Sequence, residues 1–346
     1  MLSPWRGTPG GPSAIYNCTS RAAGGQFIFG PEEREEFVRL MRRCEQFFGV
    51  HILDYTVLSN HFHIEVEVPP PPAKPLSDRE FLKRVAALYP PREVDKLRGR
   101  LRRCRERGDD EGAEKAKERF TCRMWNLSEF MKSLKQRFSR YYNNKHGRHG
   151  TLWEERFKSV LVEHGYAARV VAAYIGLNAV RAGIVEDPKD YRWSAYGAAL
   201  GGDPRAREGL RRLMNEATTA PRGAAPPKDW RQCLADYRVA LYLDGKQRSQ
   251  VNPVTGEPEV VGRGFSAEEV RKVLEEGGQL SLAQMLRLRV RYFSDGVALG
   301  SESFLEELFK ATRGSFSSRR QRGALPIPEC EEDLCVMNAV RDGLPC

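Results

Sequence analysis

Residues 51–68 read HILDYTVLSNHFHIEVEV, and this stretch decides the fold. Two runs rich in β-branched and aromatic residues flank a short Ser-Asn step, a pattern typical of two antiparallel strands joined as a hairpin. Because side chains alternate along a strand, His61 and His63 share one face and Phe62 lies on the other, toward the core. The stretch therefore predicts a sheet with one apolar face and a pair of imidazoles on the opposite face.

The sequence on either side predicts the rest of an α+β layer. Strands and helices are expected from alternation and from helical spacing of apolar residues at 14–20 (strand), 31–48 (helix ended by Gly49), 128–143 (helix), 157–162 (strand) and 166–178 (helix). The order strand, helix, strand, strand, helix, strand, helix is that of a ferredoxin/RRM-like antiparallel sheet with helices on one face.

Composition divides the chain further. We expect a disordered N-terminus (1–12), the α+β domain (13–200) with a basic helical insertion (73–123), a linker rich in Gly, Ala and Pro (201–228), a largely helical C-terminal domain (229–325) and a tail (326–346). The insertion is open to two interpretations, a solvated helical hairpin or a phosphate-contacting arm. The C-terminal region is equally open, as a DNA-binding module or an oligomerisation domain.

Charge and hydropathy narrow the possible partners and compartment. The 346 residues hold 56 Lys and Arg against 46 Asp and Glu, a net charge of +10, which favours a polyanionic partner. No run of 18 apolar residues exists, so a membrane span is not expected. The first residues lack the apolar core of a secretory signal, which predicts the cytoplasm. The eight cysteines form no CxxC pair, which argues against a zinc ribbon.

A basic stretch with interleaved aromatic residues follows the insertion. Residues 132–158 hold eight Lys and Arg against two acids, and cations with aromatic faces suit single-stranded nucleic acid. A solvated helix face explains the same pattern equally well. The DNA-binding candidates are Lys132, Lys135, Arg137, Arg140, Tyr141, Lys145, Arg148, Trp153, Arg156 and Lys158.

Two further pairs of residues carry chemistry. His61 and His63 are close enough along one strand to share a divalent cation, although strands also hold such pairs by chance. Tyr174 and Asn178 stand four residues apart, so they project from the same side of a helix. Alone, this tyrosine also suits a half-buried core position, and Asn178 suits a helix C-cap.

Together these motifs resemble those of the single-tyrosine HUH transposases, in which HUH denotes His-hydrophobic-His. YTVLSNHFHIEVEVP is similar to the HUH motif itself, and GTLWEERFKSVLVE followed by AAYIGLNAVRAGIVEDPKDYRWSAY is similar to the second half of that domain. The variant most alike is the REP-associated tyrosine transposase. The resemblance covers about residues 13–197, interrupted by the basic insertion, and Gly176 departs from it by replacing a better helix former.

The resemblance implies an enzyme. It assigns His61, His63 and Asn178 to Mg²⁺ or Mn²⁺ and makes Tyr174 the nucleophile of a DNA strand transferase. Such enzymes cleave and rejoin single-stranded DNA at hairpin sites through a 5′-phosphotyrosine, which would place the protein at the nucleoid in the cytoplasm. Relatives act as monomers or as homodimers, and both states stay open here. The alternative is a catalytically idle, domesticated protein that binds DNA or RNA hairpins.

Overall fold

A computed structural model describes residues 11–215, 229–244, 248–251, 258–262, 270–271, 297–317, 320–326 and 334–337. In chain order the elements are β1 (Ala14–Arg21), α1 (Pro31–Phe48), β2 (His51–Val57), β3 (His61–Val68), α2 (Asp78–Leu88), α3 (Pro91–Glu106), α4 (Asp110–Thr121), α5 (Leu127–His146), β4 (Lys158–Val162), α6 (Tyr166–Gly176), α7 (Asn178–Arg181), α8 (Ala195–Leu200), α9 (Pro204–Met214), α10 (Trp230–Asp244), β5 (Arg248–Val251), β6 (Pro258–Gly262), β7 (Ala298–Gly300), α11 (Glu302–Ala311), β8 (Leu325–Pro326) and β9 (Cys335–Met337). Within these ranges no helix is long and apolar enough to cross a membrane.

A seven-stranded sheet in the order β2-β3-β1-β4-β7-β9-β8 forms the centre of the molecule. Its first four strands are antiparallel, with Thr19 of β1 opposite His63 of β3 and Thr56 of β2 opposite the same histidine. The β2–β3 hairpin is confirmed, and so is the α+β class with a mainly antiparallel sheet. Only the β4–β7 pair in this sheet is parallel among the described residues.

Helices cover both faces of this sheet, so the prediction of helices on one face is wrong. On one face α1 packs against β3, where the Phe37 and Phe62 rings lie 4.6 Å apart. On the opposite face α6 lies across β2 and β3, and α9 and α10 pack beside it. The reason is the composition of α6: nine of its eleven residues are buried, so this helix needs a sheet on one side and further helices on the other.

The second half of the chain extends this core instead of forming a helical domain of its own. The strand β7 pairs with β4, and β9 pairs with β7, while α10 packs on α6 and α9. The expectation of a separate, largely helical C-terminal region is therefore wrong for the described residues. These strands are two or three residues long, below the length at which alternation is detectable in a sequence.

The start of the predicted linker is also structured. Helix α9 lies in it and packs on β2, because Gly209 allows a close approach: a Cβ there would lie 2.3 Å from the backbone oxygen of Ile52. The predicted N-terminal disorder at 1–10, residues 216–228 of the linker and most of the tail lie outside the described residues.

Residues 73–123, predicted as an insertion, contain three helices. Helix α2 begins with a capping box in which Ser77 and Glu80 each satisfy a backbone N–H of the other, and it packs on α1. Helices α3 and α4 form an antiparallel pair behind it. Phe120 of α4 contacts both Phe81 and Tyr89, with ring centroids 5.8 and 5.2 Å away, which forms a small apolar core within the insertion. Tyr89 also lies 5.5 Å from the Phe47 ring of α1, so this core is joined to the main domain.

A buried acidic pair lies on the α6 side of the sheet, the face that also carries the histidines. Asp54 of β2 and Glu65 of β3 are opposite each other in the register, and both are fully buried. Tyr237 of α10 donates a hydrogen bond to Asp54 at 2.6 Å, whereas neither carboxylate oxygen of Glu65 has a hydrogen-bond partner among the described residues. Burial raises the pKa of Asp54 to about 7, and burial together with the neighbouring Asp54 raises the pKa of Glu65 well above its ordinary value.

Replacing Asp54 with asparagine is expected to remove part of the pH dependence of stability. The pKa of Asp54 is about 7 in the folded protein and 3.8 as its ordinary value, so between these the folded state holds a proton that the unfolded chain releases. The wild-type free energy of unfolding should therefore fall as pH rises from about 4 to about 7, by at most about 4 kcal/mol from this group, and the neutral amide should lack this fall.

Urea unfolding at pH 4.5 and pH 8 tests this expectation. The exposed carboxylate Asp190 supplies a matched control, since Asp190→Asn removes the same charge from the surface. The same change in unfolding free energy between the two pH values in Asp54→Asn and in wild type would contradict the buried, protonated Asp54.

Candidate active site

The two histidines open strand β3 and face the α6 side of the sheet. Their ring centroids are 5.2 Å apart, His61 is half-buried and His63 is buried. The alternation of the strand places Phe62 in the opposite core, as predicted. The sheet thus holds two imidazoles side by side on a rigid element, at the end of the strand where the β2–β3 turn enters.

Each imidazole is oriented by a second polar side chain. The Nδ1 atom of His61 lies 2.6 Å from the Oδ1 of Asn60, and the Nδ1 of His63 lies 2.9 Å from the Oγ1 of Thr19. At His61 the Oδ1 of Asn60 accepts, which favours the tautomer whose Nε2 carries the lone pair. At His63 the Thr19 hydroxyl fixes the ring, and Nε2 carries the lone pair in the tautomer whose Nδ1 donates to that hydroxyl.

The electrostatic surroundings keep both rings neutral. Burial lowers the pKa of His61 to about 4, with a further contribution from Arg21. Burial also lowers the pKa of His63 to about 3, and the charges of Arg21 and Arg181 act in the same direction. Neutral imidazoles retain the lone pairs that metal ligation requires, and the two arginines give the site a positive potential that favours an anion.

Tyr174 of α6 lies directly against this pair. Its ring centroid is 5.6 Å from that of His63, and the Arg181 guanidinium lies 5.1 Å above its ring and donates to its backbone carbonyl at 3.3 Å. The tyrosine is only 3% exposed. A phosphodiester can therefore reach the phenol only when neighbouring side chains move aside.

The side chain of Asn178 is hydrogen-bonded to the backbone of the same helix. Its Nδ2 donates to the carbonyls of Tyr174 at 2.9 Å and Ile175 at 3.4 Å, where α6 ends and α7 begins. The helix-capping interpretation of this residue therefore describes its hydrogen bonds. Its role as a metal ligand stays a prediction.

The two histidines can supply two nitrogen ligands to a divalent cation. In the described ranges no three His, Cys, Asp or Glu side chains come together as a ligand cluster. Two neutral Nε2 donors are compatible with Mg²⁺ or Mn²⁺ only if oxygen ligands complete the shell, since both are oxygen-preferring ions. Asn178, solvent and substrate phosphate are the sources of oxygen that the chemistry allows.

An exposed aromatic side chain lies on a loop that Asn60 joins to His61. No sequence pattern predicts its exposure. Phe27 is 80% exposed, on the loop between β1 and α1 that begins with two glycines of positive φ, Gly24 and Gly25. Asn60 joins this loop to the site: its Nδ2 donates to the Gly25 carbonyl at 3.3 Å while its Oδ1 contacts His61. Base stacking is one chemistry that uses a solvent-facing phenyl ring.

Half of the predicted DNA-binding residues line one cavity. It has a volume of about 950 Å³ and lies between α5 and residues 150–157, with Lys132, Lys135, Arg140, Trp153 and Arg156 in its lining. Three acids, Glu129, Glu154 and Glu155, line the same cavity, so its walls are nearly balanced in charge. The cavity is less basic than the sequence count suggests.

Trp153 and Lys135 are tied to each other inside this wall. The Trp153 indole is buried, and its Nε1 donates to Ser139 at 2.8 Å. Lys135 lies 5.1 Å above the indole ring and donates to the Glu155 carbonyl, and burial lowers its pKa to about 8. Trp153 therefore supports the cavity from behind instead of offering a face for a base.

The other predicted DNA-binding residues lie outside that cavity. Lys145 pairs with Glu32 and Glu33 of α1, each at 2.6 Å. The remaining contacts are internal as well: Arg137 donates to Ser133, Tyr141 packs on Phe138, Arg148 lies over the Tyr142 ring, and Lys158 lies 3.9 Å from Glu155. Nothing in these contacts assigns them to DNA, and their binding role stays a prediction.

Comparison with known proteins finds a likeness to solved structures. No family model and no curated protein matches the chain. A solved structure of the REP-associated tyrosine transposase bound to a REP hairpin matches with a TM-score of 0.34 and 12% sequence identity, covering 62% of this chain and 91% of that one. Values this low do not show that the chain belongs to the family.

Proposed function

We propose that the chain is a metal-dependent DNA strand transferase that cleaves and rejoins single-stranded DNA through a phosphotyrosine. The observation that carries this proposal is the meeting of His61, His63 and Tyr174 on one face of the sheet, from elements more than a hundred residues apart in sequence. A tyrosine against two neutral imidazoles and two arginines combines a nucleophile, a cation site and a phosphate-binding potential.

The reaction exchanges one phosphoester for another. The Tyr174 phenolate oxygen forms a bond to phosphorus, the bond from phosphorus to the 3′ oxygen breaks, and that oxygen leaves as a 3′-hydroxyl after taking up a proton. The phenol proton passes to solvent. A second 3′-hydroxyl reverses the step, so strands are rejoined with no net change in bonds. A bound divalent cation would polarise the phosphate, which is the chemistry that the two imidazoles are placed to support.

The protein residues contribute position and charge. Thr19 and Asn60 hold the imidazoles in one orientation. Arg181 lies over the tyrosine ring and donates to its backbone carbonyl, so it adds positive charge beside the nucleophile and toward the incoming phosphate. Thr19 and Arg181 belong to β1 and α7, and Asn60 lies in the turn between β2 and β3.

We also propose that Phe27, on the loop that Asn60 joins to His61, stacks on an unpaired base of the substrate. We expect Phe27→Ala to weaken binding of a single-stranded oligonucleotide by roughly 5- to 150-fold, the equivalent of about 1–3 kcal/mol of stacking. Fluorescence anisotropy in EDTA, where cleavage does not occur, measures the loss. Phe27→Trp preserves the stacking face and should restore affinity, and equal affinity of Phe27→Ala and wild type would contradict the stacking role.

The proposed reaction is tested by trapping the covalent product. A single-stranded DNA hairpin oligonucleotide with a 5′ and a 3′ extension is incubated with the protein and Mn²⁺ or Mg²⁺. A labelled adduct that resists denaturing electrophoresis and forms only with metal supports the proposal. Binding without adduct across a panel of hairpins and both metals would favour the idle DNA-binding protein, and preference for the matched RNA hairpin would favour an RNA-binding protein.

A further inference from the structure

Helix α3 in the insertion carries two kinds of cation on two different sides. On one side every arginine is paired with acids: Arg98 with Asp95, Arg102 with Glu106 at 3.6 Å, and Arg105 with Asp78, Asp110 and Glu114. These cations are compensated within the insertion. Arg105 holds α3 against α2 and α4, whereas the pairs of Arg98 and Arg102 lie within α3, and together they leave little net charge on that side.

The other side of α3 carries cations that are not compensated. Arg92, Lys96 and Arg100 follow one another at intervals of four residues, so they form a stripe with steps of roughly 6 Å along the helix axis. All three are exposed, and none has an ion pair with another described residue. Pairing of the neighbouring arginines shows that acids are present nearby, so the bare stripe is a property of this side of the helix.

The stripe lines one wall of a concave surface. Arg119 of α4 faces it across a cavity of about 640 Å³, which we call the α3–α4 cavity. Its charged lining consists of the stripe, Arg119 and one acid, Glu93, a net charge of +3 among the described residues. The cavity beside α5 has four cations against three acids, so the α3–α4 cavity is the more favourable place for a polyanion.

The remaining walls decide which part of a nucleic acid fits. Pro90, Leu97, Ala116 and Phe120 form them, and all but Pro90 are buried. Arg119 lies 5.7 Å from the centroid of the Phe120 ring. With no exposed aromatic face among these walls, an unpaired base would gain no stacking, whereas a row of cations suits the evenly spaced phosphates of a paired stem.

We infer that the α3–α4 cavity binds the phosphate backbone of a DNA duplex through Arg92, Lys96, Arg100 and Arg119. The choice of DNA as the nucleic acid rests on the proposed function, while the cation stripe itself does not. This surface lies on the insertion, so it contacts the stem of a hairpin substrate independently of the strand held at Tyr174. The contacts are to backbone, so binding here is independent of base sequence.

The test compares two variants of equal charge. Arg92→Gln/Lys96→Gln/Arg100→Gln removes the bare stripe, and Arg98→Gln/Arg102→Gln/Lys115→Gln removes three exposed cations that are already paired with acids. Affinity for a blunt 16-base-pair DNA duplex is measured by fluorescence anisotropy in EDTA from 50 to 300 mM salt. Melting temperatures show that both variants are folded.

The first variant is expected to bind the duplex roughly 10- to 100-fold more weakly at 100 mM salt, with the slope of log affinity against log salt reduced by about 2 to 3. The second variant should bind like wild type. Equal losses in both variants would show a general charge effect and overturn the inference, and so would tighter binding of the matched RNA duplex. Covalent adduct formation is a separate readout, so a failure of the proposed reaction leaves this comparison intact.

Discussion

Replacing Tyr174 with phenylalanine is expected to reduce formation of the covalent protein–DNA adduct by at least about a thousandfold, to below detection. The substitution removes a single oxygen from a residue that lies 5.6 Å from His63, between ring centroids, and next to the Arg181 guanidinium. No other atom in this position can form a phosphoester. The ring itself remains, so the packing of α6 is preserved and circular dichroism should be unchanged.

A second tyrosine on the same helix makes this a sharp experiment. Tyr166 begins α6, eight residues before Tyr174 and roughly 12 Å away along the axis, so Tyr166→Phe is a matched control. We expect normal adduct formation in the control and none in Tyr174→Phe, measured by gel shift of a labelled oligonucleotide with Mn²⁺. Adduct in Tyr174→Phe, or its loss only in Tyr166→Phe, would show that the nucleophile is assigned wrongly.

The parts of this site that were predictable are those set by local periodicity. Alternation along β3 was enough to place His61 and His63 on one face, and helical spacing placed Tyr174 on α6. What joins these elements is long-range register. Thr19 reaches His63 only because β1 pairs antiparallel with β3 across a gap of 44 residues, and no local pattern encodes that pairing. Phe27 was missed for a similar reason, since exposure of a loop aromatic depends on packing around it.

Gly176 shows how tertiary packing changes the meaning of a residue. From sequence it was expected to loosen the helix that carries Tyr174. In the fold a Cβ at this position would lie 2.7 Å from both the Tyr237 hydroxyl and a methyl group of Leu241. The glycine therefore lets α10 approach α6, and Tyr237 uses that approach to reach Asp54. Its absence of a side chain tightens the layer around the tyrosine.

The ion pairs in the structure show which of the surplus Lys and Arg residues are left to bind an anion. The sequence places surpluses of Lys and Arg in the insertion and in 132–158, and both looked like nucleic-acid surfaces. Lys145 and Arg105, for example, form ion pairs with acids from other helices. Only contacts between elements separate compensated cations from the bare ones at Arg92, Lys96 and Arg100. Arg140 and Arg156 also have no ion pair among the described residues, but three acids line their cavity, whereas the α3–α4 cavity carries a net charge of +3.

Removing His63 is the most direct test of the cation site. His63→Ala is expected to lower the affinity for Mn²⁺ by roughly a hundredfold or more, because it deletes one of two nitrogen donors and leaves His61 alone. Thr19→Val keeps the shape of the side chain but removes the oxygen that lies 2.9 Å from the His63 Nδ1, and it should cost roughly 10- to 100-fold. Electron paramagnetic resonance of free Mn²⁺ measures both affinities without any need for turnover.

The order of the Mn²⁺ affinities shows whether the two imidazoles bind the cation. If the two imidazoles hold the cation and Thr19 orients one of them, wild type should bind most tightly, then Thr19→Val, then His63→Ala. His149 is exposed, so His149→Ala reports binding of Mn²⁺ to a surface imidazole and should match wild type. Equal affinity in wild type and His63→Ala would remove the cation from this face of the sheet. Tyr174 would then have only Arg21 and Arg181 to stabilise a phosphate, and a cation-independent reaction would have to be considered in place of the one proposed.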